Sequence, residues 1–421
     1  MKRLIAAVLA APLCVLVAQA QTSPPAPGSD VLTLDQALTE AGARSPGPAA
    51  AEAGRLSAEA GRAVAGLRPN PSVSIDTENA LGTGPYRGFD ESDTTLAFAL
   101  PVELGGKRSA RIAVADARIR RAEVEVAVAA ADLRLVVAEA YVAAIAADRR
   151  AAIAEDRLAV TAENLRVAND RVMVGANPPI DAQRALLEEA KARTEADTAR
   201  GAASAARAML RHYAGDPALG ALDTAWFDRA ATGSYGPATA TGAEGTLALA
   251  AAAADAEAAE AGLRLARTQR APDLTLTAGT RRLEASNDQA MVFGVSIPLP
   301  LFDSGRAAVT QAARERDHAE ARQRVARFDA DRAIAAAEAE RDRAATLVWG
   351  SNPSLAAAGE AARIARIGYA EGKFDQMVLL DAERTLLDTQ RAAIDARADY
   401  HNAVARLARL TTRLRGAGDI R

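Results

Sequence analysis

The chain has 421 residues, 49% hydrophobic but only 4% aromatic, with 51 basic and 54 acidic side chains and a formal net charge of −3. One cysteine and three histidines cannot build a disulfide framework or a Cys/His metal cage, and no cofactor is expected. The slightly acidic balance gives no expectation of a nucleic-acid partner.

Lys2 and Arg3, an apolar run from Leu4 to Val17 and then Ala18-Gln19-Ala20 have the order of a secretory signal, so residues 1–20 are read as a cleaved leader and 21–30 as a linker. Cys14 lies inside that leader. Pro12-Leu13 before it lacks the small residue that lipid modification needs, so it is read as part of the leader's apolar core. Nothing after residue 20 approaches the eighteen or so apolar residues of a membrane-spanning helix. A membrane crossing would therefore use β-strands.

Compared with itself, the chain repeats at an offset of about 200 residues. Pro71-Ser72-Val73-Ser74-Ile75 matches Pro272-Asp273-Leu274-Thr275-Leu276, and Pro101-Val102-Glu103-Leu104-Gly105-Gly106-Lys107 matches Pro300-Leu301-Phe302-Asp303-Ser304-Gly305-Arg306. Gly175 with the helix after it matches Gly372 with Leu380-Asp381-Ala382. The division that follows is repeat one at 31–214, a Gly/Pro/Ala-rich linker at 215–243, repeat two at 244–415 and a tail at 416–421.

Each repeat reads helix, strand, loop, strand, very long helix, turn, helix. Val73, Ile75 and Thr77 alternate with Ser74, Asp76 and Glu78, and Leu96, Phe98 and Leu100 with smaller residues. In repeat two, Leu274 and Leu276 alternate with Thr275 and Thr277, then Met291, Phe293, Val295 and Ile297 with Val292, Gly294 and Ser296. Period two gives each strand one greasy face and one polar or small face. From Lys107 to Val174 there is neither Gly nor Pro, which permits one helix on the order of 100 Å long. Ile112, Ile119, Val126 and Leu133 recur every seven residues, with Ala115, Ala122, Ala129 and Val136 as a second row, so a left-handed coiled-coil seam is predicted there. Gly350-Ser351-Asn352-Pro353 predicts a break in the corresponding helix of repeat two.

Four strands cannot cross a bilayer alone, because open edges would leave N–H and C=O groups unpaired in hydrocarbon at several kcal/mol each. Strands from sister subunits must close the sheet, twelve in a trimer, with Leu96, Phe98, Phe293 and Ile297 toward lipid and Ser74, Asp76 and Thr275 toward water. The predicted fold is mainly α with a small β part: a long helical coiled-coil barrel plus a transmembrane β-barrel, four strands per protomer. Two other readings fit less well. A periplasmic coiled-coil scaffold needs no amphipathic hairpins, and an enzyme would need a phosphate loop, nucleophile elbow or metal-ligand pair that the sequence lacks.

Leu32-Thr33-Leu34-Asp35-Gln36-Ala37-Leu38, the two strand-ending elements with Gly then Lys or Arg, and the turn from Gly372 to Ala382, in order and duplicated, resemble the TolC-type outer-membrane efflux family over nearly the whole chain. Arg68-Pro69-Asn70-Pro71, Glu78-Asn79, Gly84 to Asp90 and Glu103 to Arg108 are similar to the outer-membrane component of cobalt-zinc-cadmium efflux systems. The resemblance implies a homotrimer in the outer membrane of a Gram-negative bacterium, docked to a periplasmic adaptor that links it to a proton-driven inner-membrane pump. Multidrug or type I secretion cargo is the alternative within the same fold. It further implies adaptor contact at the turns Val174-Gly175 and Glu371-Gly372, and a narrow periplasmic entrance at Asp381. Asp388 and Asp395 follow at seven-residue steps, so three subunits would stack acidic rings. Gly106, Lys107, Arg108, Gly305 and Arg306 form the strand-to-helix junctions, where the cations are expected to snorkel to headgroups or to barrel carboxylates. Trp226 and Phe227 are expected to pin the linker against the helices.

Overall fold

The computed structural model describes residues 31–215, 220–229 and 242–414. The leader with Cys14, the segment 21–30 and the tail 416–421 lie outside the described residues. Strand β1 (Val31–Leu32) leads to α1 (Leu34–Arg44), which Thr33 starts with a capping box: its hydroxyl accepts from the Gln36 N–H, and the Gln36 side chain accepts from the Thr33 N–H. Ser45 is extended ahead of Pro46, so the opening helix of repeat one, expected as a single helix, is two: α1 and α2 (Pro46–Ala65).

The first hairpin is β2 (Ser72–Glu78) and β3 (Asp93–Val102), followed by α3 (Lys107–Met173) and α4 (Pro179–Ala214). Short β4 (Ala221–Leu222) pairs in parallel with β1, and α5 (Thr224–Asp228) follows it. Repeat two is α6 (Leu247–Thr268), β5 (Leu274–Leu283), β6 (Asp288–Ser296), α7 (Arg306–Ala370) and α8 (Gln376–Thr411). The four longer strands make one antiparallel sheet in the order β2-β3-β5-β6, so the two hairpins join through β3 and β5, and β2 and β6 are its edges.

The predicted break in the second long helix does not occur: α7 continues through Pro353. The ring removes one donor, but side chains hold the helix on both sides of it. Ser351 Oγ donates to the Val348 carbonyl at 2.7 Å, Ser354 Oγ to the Gly350 carbonyl at 3.1 Å, and Arg397 on α8 donates to Asn352 Oδ1 at 3.0 Å. Packing against α8, with Val348 buried, outweighs the intrinsic cost of about 3 kcal/mol.

The seven-residue period of α3 is present, but in another phase. Ala110, Ala117, Val124, Ala131, Ala138 and Ile145 are all buried, whereas Ile112, Ile119, Val126 and Leu133 are only half-buried; of the second row, Ala115 and Ala122 are buried and Val136 is exposed. Flanked by α2 and α6, α3 buries mostly alanines along this row, because they let backbones approach. Past Ile145 the row shifts to Ala147, Ala154, Thr161 and Ala168, where the neighbours are α4 and α8.

Candidate functional site

The sheet separates its faces as period two requires. Val73 lies opposite Phe98, Phe98 opposite Ala278, and Ala278 opposite Phe293; one step on, Ile75, Leu96, Thr280 and Met291 form the next row. On this face Leu96, Phe98 and Phe293 are exposed, and Ile297, one residue past β6, keeps the same parity and is exposed too. The opposite face carries Ser74, Ala97, Gly279 and then Asp76, Thr95 and Arg281, with Thr275 opposite Ser296. Arg281 donates to Thr95 Oγ1 at 2.9 Å and pairs with Glu78 at 3.2 Å, a charge cluster on the polar face that alternation alone did not single out. Gly279 is required by close approach: a Cβ there would stand 2.3 Å from the Leu96 carbonyl oxygen.

Each strand-to-helix junction turns on a left-handed glycine, Gly106 (φ 77°) and Gly305 (φ 68°), as the N-cap of a long helix. Lys107 Nζ meets Asp273 at 2.7 Å, and Arg108 donates to the Gly66 carbonyl at 2.6 Å. Arg111 grips Glu103. Burial opposes the charge on Asp273, but Lys107 and the Leu104 N–H hold its carboxyl below the usual range; Arg111 does the same for Glu103 against burial. Asp273, held by Lys107 and the Leu104 N–H, stitches repeat two to repeat one where the sheet meets the helices. Arg306 is exposed.

Toward the sheet the helices lie in the order α2, α3, α6, α7; toward the far end the order is α4, α3, α8, α7. Repeat one therefore supplies one free side of the protomer along its whole length, and α7 supplies the other. Both far turns close with the same Schellman geometry. Ala176 and Gly175 donate to the Arg171 and Val172 carbonyls, and Lys373 and Gly372 to those of Gly368 and Tyr369. Gly175 (φ 72°) and Gly372 (φ 77°) are left-handed, and Val174, Met173, Ile180 and Met377 are exposed around them. The two turns touch: the Arg171 guanidinium sits 4.5 Å over the Tyr369 ring, and Gln376 donates to the Asp181 carbonyl at 3.1 Å. Nothing in the spacing of Arg171 and Tyr369 announces that contact.

Asp381, Asp388 and Asp395 are all exposed on α8. The i,i+3 partners available to them in sequence are not the ones used. Arg384 reaches Asp388 at 3.9 Å, Arg391 lies against Glu195 of α4, and Asp395 accepts from Arg150 of α3 at 2.5 Å. Asp381 has no ion pair among the described residues. Its counterpart in repeat one, Arg184, stands 3.8 Å from Asp181.

At mid-length the described linker residues 220–229 pack against the helices, as expected of Trp226 and Phe227. Trp226 stacks on His401 of α8 with centroids 4.1 Å apart, and His401 Nε2 lies 3.0 Å from the Phe227 carbonyl oxygen. Tyr141 of α3 donates to the Leu32 carbonyl and accepts from the Asp223 N–H. Burial pushes the His401 imidazole below its ordinary value, against the bond to Phe227. His401 is a buried structural contact that sequence alone did not identify, since a lone histidine carries no pattern.

The family described as outer membrane efflux protein matches residues 37–216 and 243–413. The cobalt-zinc-cadmium resistance protein CzcC of Cupriavidus metallidurans is 28% identical over 372 residues, 85% of each chain. The nickel and cobalt resistance protein CnrC of the same organism is 30% identical over 335 residues, 76% of this chain and 74% of the relative. Among solved structures, a membrane protein from Pseudomonas aeruginosa superposes with a TM-score of 0.74 at 21% identity, covering 90% of this chain and 93% of that one. The outer membrane protein VceC of Vibrio cholerae gives 0.72 at 21% identity, over 90% and 95%. Both structures share the fold.

Proposed function

The chain belongs to the outer membrane efflux protein family, and from that premise we propose that three copies form a duct exporting heavy-metal cations, with cobalt, zinc and cadmium as first candidates. One observation carries the reading. The free sides of the protomer are unlike, with β2, α2 and α4 along one and β6 and α7 along the other, so copies repeated about an axis join unlike edges and make a ring when the rotation closes. Lipid enforces that closure, since an open edge leaves backbone groups unpaired at several kcal/mol each. Three sheets make twelve strands, wide enough for a wet lumen; two would make eight, which side chains fill.

In this reading the apolar sheet face meets lipid and the face with Ser74, Asp76 and Arg281 lines the lumen. The far turns with Val174, Gly175, Glu371 and Gly372 dock a periplasmic adaptor, and a proton-driven inner-membrane pump energises export through it. Asp381, Asp388 and Asp395 face the entrance, where exposed carboxylates favour cations. The cargo rests on kinship with relatives named for resistance to cobalt, zinc, cadmium and nickel.

Deleting the gene is expected to lower tolerance of Zn²⁺, Co²⁺ and Cd²⁺, with restoration by the wild-type chain. In planar bilayers, Asp381→Asn is expected to weaken cation preference while leaving the trimer intact. Unchanged metal tolerance with lost resistance to organic compounds overturns the cargo, and an unchanged reversal potential overturns the entrance role.

A further inference from the structure

The apolar row of β6 does not stop where its hydrogen bonds stop. Beyond Ser296 the chain runs Ile297-Pro298-Leu299-Pro300-Leu301-Phe302 before the turn into α7. Ile297, Leu299 and Leu301 keep the parity of Met291, Phe293 and Val295, and all are exposed; Phe302 is fully so. Pro298 and Pro300 have no N–H, and Leu301 N–H donates to the Leu299 carbonyl at 2.9 Å, so this strap has few backbone donors left to satisfy. Beyond the end of β3, Leu104 is exposed in the same way.

Around the strap, the cations Lys107, Arg270 and Arg306 outnumber the carboxylates Asp273 and Asp303. An apolar strap backed by a basic collar suits a membrane boundary, with hydrocarbon on one side and anionic phosphates on the other. A neighbouring copy pairing with β6 would occupy the backbone edge of the strand, which ends at Ser296 before the strap.

We propose that Pro298–Phe302 is an interfacial anchor. Leu299, Leu301 and Phe302 sit among the upper acyl chains of the phospholipid leaflet on the helical side of the membrane, and the collar meets its phosphates. The proposal rests on the sheet being part of a membrane barrel, and it adds a residue-level determinant of how deep that barrel sits.

The test places tryptophan in the strap. Phe302→Trp, which keeps the bulk and aromaticity, is reconstituted as full-length trimer in phosphatidylethanolamine/phosphatidylglycerol vesicles carrying bromine on the upper acyl chains. The wild-type signal of Trp226 and Trp349 is subtracted. Short-wavelength emission, quenched about two-fold by the brominated lipid, is expected of a side chain at that depth. Solvent-like emission without quenching overturns the anchor, even where conductance shows the duct to be intact. Short-wavelength emission that bromine does not touch assigns the strap to a neighbouring copy and also overturns it. A protein that never enters the vesicles fails the duct reading itself.

Discussion

At His401 the ring is enclosed by Trp226 and bonded to the Phe227 carbonyl, and burial pushes the imidazole pKa below its ordinary value. Folding therefore favours the unprotonated imidazole. Above about pH 6.5 the ring is neutral in folded and unfolded chains alike. As pH falls through that value the unfolded chain takes up the proton first, so the stability conferred at this site is present above the unfolded pKa and lost toward acid. Thermal unfolding in detergent should show a midpoint that drops between neutral and mildly acidic pH, and His401→Gln should flatten that slope. A slope identical in the two proteins would contradict the account. Residue identity alone did not disclose this site, because its partners come from α5 and α3, far away in sequence. Asp381, Asp388 and Asp395 stand at the other extreme: their seven-residue spacing on one helix was plain in the sequence, but their partners, such as Arg150 from α3, were not.

The elements were legible wherever local chemistry and tertiary packing agree. Strand alternation predicted both hairpins, and the stretch free of Gly and Pro predicted α3, because each element is set by a pattern within its own segment. Pro353 and the phase of the α3 seam were misjudged for the opposite reason. A proline's local cost was offset by contacts with α8, and the buried row from Ala110 to Ile145 could be told from the rows of Ile112 and Ala115 only once the neighbours α2 and α6 were placed. Nor could alternation reveal that β3 and β5 join the hairpins. That junction depends on Gly279, where a Cβ would press 2.3 Å from the Leu96 carbonyl oxygen. Gly279→Ala is expected to force the hairpins apart at a cost of about 1–3 kcal/mol. It should lower the temperature at which the detergent-extracted assembly dissociates, while Gly294→Ala, whose added Cβ would make only ordinary contact, serves as the control. Equal dissociation temperatures for both variants would show that the close approach does not matter.

Over the whole molecule, the internal repeat explains why one chain has two unlike sides. Repeat one contributes β2, α2 and α4 to one side, repeat two contributes β6 and α7 to the other, and junction contacts such as Lys107 with Asp273 hold the two repeats in register. The family follows from sequence and fold together, but the number of copies and the cargo depend on surfaces that a single chain leaves uncovered. Closure of the sheet is the claim on which the duct depends, and hydrogen exchange of the detergent-solubilised protein measures it strand by strand. If the barrel closes, the backbone amides of β2 and β6 will be protected as strongly as those of β3 and β5. Rapid exchange confined to β2 and β6, with β3 and β5 protected, would mean an open sheet and no passage.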